Sequence, residues 1–98
     1  MVLEAAILYV KEGKQEQFEN DFKEASQYIS SIEGYIKHSL KKCIDKDNQY
    51  LLLVEWVSVE AHEIGFRKSP QYLKWKELLH HHYSPFPEVL HYEDISLE

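Results

Sequence analysis

The spacing of apolar residues divides the chain into alternating strands and helices. Residues 2–10 (VLEAAILYV) are rich in strand formers and run into the turn Lys11-Glu12-Gly13. Between Lys14 and Ile32 the apolar positions are Phe18, Phe22, Ala25, Ile29 and Ile32. Their steps of four and three draw one stripe on a helix of about five turns, at ~3.6 residues per turn, and Gly34 stands where such a helix should stop. Tyr35–Ile44 alternates as a strand, with Ile36, His38, Leu40, Lys42 and Ile44 on one parity. Asp45-Lys46-Asp47-Asn48 is a polar hairpin loop before a third strand, Gln49–Val57. Ser58 is placed to cap a short helix reaching about Arg67, and Ser69-Pro70 to start another reaching about His82. Pro85 and Pro87 stop helix there, and Glu88–Ile95 reads as a last strand, at an edge or beside the first. The order β-α-β-β-α-β predicts an α+β, ferredoxin-like fold with a four-stranded antiparallel sheet. A single domain over residues 1–96 is expected, with Leu97-Glu98 matching the start of a cloned purification tag.

The third strand carries an expectation about assembly. Its even positions are Tyr50, Leu52, Val54 and Trp56, and its odd positions Leu51, Leu53, Glu55 and Val57. A sheet with one wet face should alternate apolar and polar, and this strand does not. Two helices cover one face only. At ~25 cal/mol per Å2, leaving the other exposed would forgo several kcal/mol, which a second copy laid sheet against sheet would recover. A homodimeric α/β barrel with an apolar chamber between its sheets is therefore expected. Parity alone leaves open which face lines that chamber.

Composition narrows the function. The 98 residues are 44% hydrophobic and 29% charged, with a net charge of −6, which disfavours nucleic acid as a partner. No run approaches the ~18 apolar residues of a membrane span. The first residues lack the basic and cleavage regions of a signal peptide, and Cys43 is the only cysteine, so a cytoplasmic location is expected.

Several side chains could carry chemistry. His62 lies three residues after Val59 and four before Phe66, on one helix face. It reads either as a general base for a phenolic proton or as a helix-end histidine bonded to a carbonyl. His38, among aliphatic neighbours, is a second candidate base or a satisfied core polar group. Arg67 offers donors to a developing oxyanion, or complements a helix end at the surface. Tyr72, Trp75, Leu79 and His82 form a stripe that is either core or a stacking wall for a planar molecule, with the Trp75 N–H as donor. Glu55 sits among Leu51, Leu53 and Val57, either in the chamber or at the dimer seam. Trp56, Glu55, Phe66, Tyr72, Leu79 and His82 are expected to line a substrate site. His80-His81-His82 is not expected to hold a metal, since successive helical side chains diverge by ~100°.

Glu55-Trp56, Glu60-Ala61-His62, Gly65 to Tyr72, Trp75-Lys76, Leu78-Leu79-His80, Tyr83, Pro85-Phe86-Pro87 and His91-Tyr92-Glu93 together resemble the antibiotic biosynthesis monooxygenase family. The resemblance spans nearly the whole chain and implies the dimeric barrel. Members include cofactor-independent quinone-forming monooxygenases, haem degraders and an isomerase. Haem degraders place an asparagine on the first strand, where this chain has Ala5 and Ala6. Their tryptophan and histidine positions hold Gly65-Phe66 and Trp75-Lys76. The reading that follows is a monooxygenase that needs no cofactor or metal and oxidises a phenol or hydroquinone with O2. His62 or His38 would act as base, with Arg67 and Trp75 stabilising anionic oxygen. A non-catalytic dimeric binder of small aromatic metabolites is the alternative, with haem degradation or isomerisation behind it.

Overall fold

The computed structural model describes residues 1–98. In chain order it contains β1 (Val2–Tyr9), α1 (Gln15–Ile29), β2 (Tyr35–Lys42), β3 (Gln49–Trp56), a π-helical turn (Ala61–Phe66), α2 (Pro70–Leu79), a 3-10 turn (His80–His82) and β4 (Val89–Tyr92). The strands pair antiparallel in the order β2-β3-β1-β4, so the expected ferredoxin-like α+β arrangement is the one observed.

Strand parity decides which face the helices cover. Glu4, Ala6 and Leu8 of β1 and Tyr50, Leu52, Val54 and Trp56 of β3 lie beneath them, all buried. The α1 stripe Phe18, Phe22, Ala25 and Ile29 packs into this layer and is itself buried. On the opposite face, Leu3, Ala5, Ile7 and Tyr9 pair with Glu55, Leu53, Leu51 and Gln49, and Ala5 and Leu3 also pair with Leu90 and Tyr92. No element of the chain covers that face, and Ile7, Tyr9, Leu90 and Tyr92 are exposed on it. No helix is long and apolar enough to cross a membrane.

Four details depart from the sequence pattern. Helix α1 ends at Ile29 and not at Ile32, because the next backbone bonds tighten to three-residue spacing: Ser31 N–H donates to Tyr28 and Ile32 N–H to Ile29. Ile36 does not share a face with His38 and Leu40. The β2–β3 register slips between Tyr35 and Lys37, so Ile36 sits in a bulge and is exposed. Ile44 lies beyond the end of β2 and is 99% exposed. The last strand is also shorter than expected, four residues rather than eight.

Gly34 acts in the turn into β2 rather than as the helix stop. Its φ is +93°, and a Cβ there would lie 2.7 Å from Ala61 Cβ and 3.0 Å from Val57 Cγ2. Only glycine lets this turn and the start of the π-helical segment approach so closely. Ser58 caps that segment, its Oγ accepting from Ala61 N–H at 3.1 Å, and Ser69 caps α2, accepting from Tyr72 N–H at 3.2 Å.

Candidate functional site

A cleft of about 460 Å3, including its open mouth, lies between the helix-covered face of the sheet and the segment from the π-helical turn to β4. Its floor is Glu4, Ala6 and Leu8 of β1 with Leu52 of β3. Phe66, Tyr72, Trp75 and Leu79 form an aromatic and aliphatic wall, and Arg67, His80, Phe86 and Pro87 also line it. The chamber expected between two sheets is not where the candidate residues converge, because the even positions of β1 and β3 face the helices.

Glu4 is the one charged residue on the buried parity of β1, and it is 5% exposed. Its Oε1 accepts the Trp56 indole N–H at 2.9 Å and lies 3.3 Å from His62 Nε2. Burial raises its pKa above the usual carboxylate value, opposed by the Trp56 bond and the nearby Arg67 charge. His62 is 2% exposed, and burial, then the charges of Arg67 and His91, depress its pKa to about 3. At neutral pH the contact is therefore a hydrogen bond between a carboxyl group and a neutral imidazole, not an ion pair. The His62 ring stacks on Trp56 at 5.3 Å, and its Nδ1 lies 2.8 Å from His91 Nε2.

The π-helical turn sets this geometry. Arg67 N–H donates to the His62 carbonyl, five residues back, at 3.0 Å. That wider turn puts His62 and Phe66 on the core side, both buried, while Arg67 remains exposed beside the cleft. Single π-helical turns inside helices recur at functional sites.

Of the residues singled out from the sequence, His62, Phe66, Arg67, Tyr72, Trp75 and Leu79 all line the cleft. Trp56 does not line it; fully buried, it supports Glu4 and His62 from behind. His38 is kept away from the cleft with both ring nitrogens engaged. Nδ1 is 2.5 Å from the Tyr35 hydroxyl and Nε2 is 2.9 Å from Ser26 Oγ, which in turn donates to the Phe22 carbonyl. Burial lowers its pKa, as for a satisfied core histidine. Glu55 lies on the uncovered face, 3.2 Å from Lys37 Nζ, because odd positions of β3 point away from the helices.

His82 turns from the cleft toward α1, where its Nε2 is 2.7 Å from Asp21 Oδ2. It is 1% exposed, and its Nδ1 has no partner. Helical divergence is also too simple a rule for the three histidines. His81 and His82 sit in a 3-10 turn with ring centroids 4.0 Å apart, and their ligand atoms and that of Asp21 lie within 4.8 Å of one another.

Glu4, His80, Tyr83 and His91 were not foreseen. Glu4 carried a legible signal, a carboxylate at the even position of a strand otherwise reading Val2, Ala6, Leu8 and Val10. His91 did not, because it reaches His62 only through the β1–β4 pairing, where Glu4 and His91 are partners.

The model of the antibiotic biosynthesis monooxygenase family matches residues 1–78. The uncharacterized protein YczJ of Bacillus subtilis (strain 168) is 52% identical over 95 residues, covering 97% of this chain and all of its own length. The crystal structure of a Bordetella bronchiseptica protein named for the same monooxygenase family superposes with a TM-score of 0.92 at 25% identity, covering 97% of each chain. SnoaB from Streptomyces nogalater, described as a cofactor-independent oxygenase, superposes with a TM-score of 0.80 at 22% identity, covering 97% of this chain and 93% of its own.

Proposed function

Because the chain belongs to the antibiotic biosynthesis monooxygenase family, we propose that it oxidises a small electron-rich aromatic, of phenol or hydroquinone type, with O2 and without a cofactor. The observation that carries this reading is a buried carboxyl–imidazole pair on the floor of an aromatic-walled cleft with an arginine beside it. Glu4 and His62 together take the role of base. Glu4 faces the cleft and removes a hydroxyl proton, and His62, neutral near pH 7, can share it. The resulting phenolate adds O2 at a ring carbon bearing hydrogen. The peroxide anion so formed takes a proton back from the Glu4 carboxyl to become a hydroperoxide, and loss of the ring hydrogen with the distal hydroxyl, as water, leaves a quinone carbonyl. Arg67 and the Trp75 N–H stabilise the anionic oxygen, and the aromatic wall excludes water from it. SnoaB's description as a cofactor-independent oxygenase agrees with this chemistry.

Oxygen uptake with a panel of hydroquinones and phenols tests the proposal. Uptake above buffer is expected with at least one compound. Glu4→Gln should reduce it by about 100-fold, the low end of general-base effects, and Arg67→Ala by ~100-fold or more. Binding of the same compounds without uptake would favour a non-catalytic carrier of small aromatics instead.

We also infer that the working unit is a homodimer joined through the uncovered sheet face. This places the interface opposite the cleft, so each chain keeps its own site. A reducing cytoplasm suits its single cysteine, Cys43.

A further inference from the structure

Behind Glu4 the polar contacts continue to the surface. His62 Nε2 faces Glu4 at 3.3 Å, His62 Nδ1 faces His91 Nε2 at 2.8 Å, and His91 Nδ1 faces Glu63 at 4.0 Å. The Glu4 and His62 side chains are both buried, at 7% and 3% exposure, and exposure then rises to 18% for His91 and 52% for Glu63. Every link joins groups able to give and accept a proton. Trp56 is different: its indole can only donate, so it fixes Glu4 without extending the chain.

We propose that Glu4, His62 and His91 form a proton relay that connects the floor of the cleft to solvent at Glu63. The proposal rests on the oxygenase reading for its purpose but not for its existence. A cleft filled by a planar substrate shuts off water, so a proton taken from that substrate needs another route by which to be drawn away from the phenolate and returned when the peroxide forms.

Two hydrogen-bonded states of the chain are self-consistent, and they differ by one proton. In the first, Glu4 is protonated and donates to His62 Nε2, His62 Nδ1–H donates to His91 Nε2, and His91 Nδ1–H points outward. In the second, Glu4 is ionised and accepts from His62 Nε2–H, while His62 Nδ1 accepts from His91 Nε2–H. Passing from the first to the second, each imidazole gains a proton on one nitrogen and loses one from the other. One proton leaves at His91 Nδ1, to Glu63 or water, and no ring holds a positive charge at either end point. The depressed pKa of His62 favours end states in which its ring is neutral, and the raised pKa of Glu4 favours the first of the two. Arg67, Tyr72 and Tyr83 are the other charged or titratable groups coupled to Glu4, and none joins it to the surface by a hydrogen bond.

His91 touches no substrate in this scheme; it is a positioning and relay residue. The first test needs no turnover. Long-range 15N–1H spectra of the intact protein should show one proton shared between His62 Nδ1 and His91 Nε2, with a coupling across the N–H···N bond. Glu4→Gln, which cannot lose a proton, should lock one tautomer across the pH range in which the wild type switches. Two rings with independent tautomers and no shared proton would overturn the relay. The second test uses oxygen uptake with the hydroquinone panel. His91→Leu should lower kcat roughly tenfold while leaving KM unchanged, and added imidazole should restore part of it, because a small base replaces the missing link. Glu63→Gln, exposed and mild, should show a smaller loss with the fold intact. Unchanged kcat in His91→Leu would reject the relay and leave the oxygenase reading standing. No uptake by the wild type with any compound would reject the oxygenase reading and leave the spectra to decide the relay.

Discussion

At the scale of single residues, burial has moved the proton affinities that matter. His62 is neutral in the folded chain down to about pH 3, against an ordinary value of 6.5, so between those values the unfolded chain binds more protons. The stability it contributes is full above pH 6.5 and is lost as pH falls. His80, depressed to about 4, acts in the same direction but less strongly, being only half-buried. Glu4 has the opposite sign: its pKa is raised from 4.5, so its contribution is lost as pH rises through that region. The slope from one such histidine approaches ~1.4 kcal/mol per pH unit. Urea unfolding between about pH 6 and 4 should therefore show steeply falling stability, and His62→Gln should flatten that fall while lowering stability at pH 7. An unchanged slope in the variant would mean that His62 titrates normally in the folded state.

At the scale of elements, the cleft depends on two local decisions made by small residues. Gly34 lets the β2 turn press against Ala61 and Val57, and so fixes where the π-helical turn begins. Gly34→Ala combines a left-handed backbone with a 2.7 Å clash, and should cost about 2–4 kcal/mol by chemical denaturation. Ser69 starts α2 at the residue that lets Tyr72, Trp75 and Leu79 form the wall. Ser69→Ala removes the bond to Tyr72 N–H and should cost ~1 kcal/mol with little change at the cleft floor. These elements were largely legible: the α1 stripe, the hairpin loop and the Ser69-Pro70 start all follow from spacing and cap chemistry. The π-helical turn was not, since its register depends on the tertiary contact with Gly34. The bulge at Ile36 was hidden for a similar reason, because pairing with β3 overrides simple alternation. The site was legible where it lies on helices and obscure where it lies on strands. Helical spacing put His62 with Phe66 on one stripe and Tyr72 with Trp75 and Leu79 on another, and both stripes line the cleft, whereas Glu4 and His91 meet only once β1 and β4 are paired.

At the scale of the whole molecule, the uncovered sheet face is the largest unanswered demand of the fold. Leu3, Ile7, Leu51, Leu53 and Leu90 lie on it with Tyr9 and Tyr92, and no helix of the chain reaches them. Covering each half-exposed aliphatic side chain yields roughly 1 kcal/mol, so two copies facing each other gain about 10 kcal/mol before the aromatic rings are counted. That is comparable with the ~4–15 kcal/mol lost in association, so the dimer should be stable yet sensitive to one charge at the centre of the face. Leu53 is that centre, flanked by Ala5 on β1 and Ser39 on β2. The wild type should sediment as a dimer at micromolar concentration, and Leu53→Asp as a single 11.7 kDa chain. Because the cleft lies on the opposite face, the monomeric variant should keep its affinity for small aromatics. Loss of that affinity on dissociation would mean that the partner contributes to the cleft, and a monomeric wild type would mean that something other than a second copy covers the sheet.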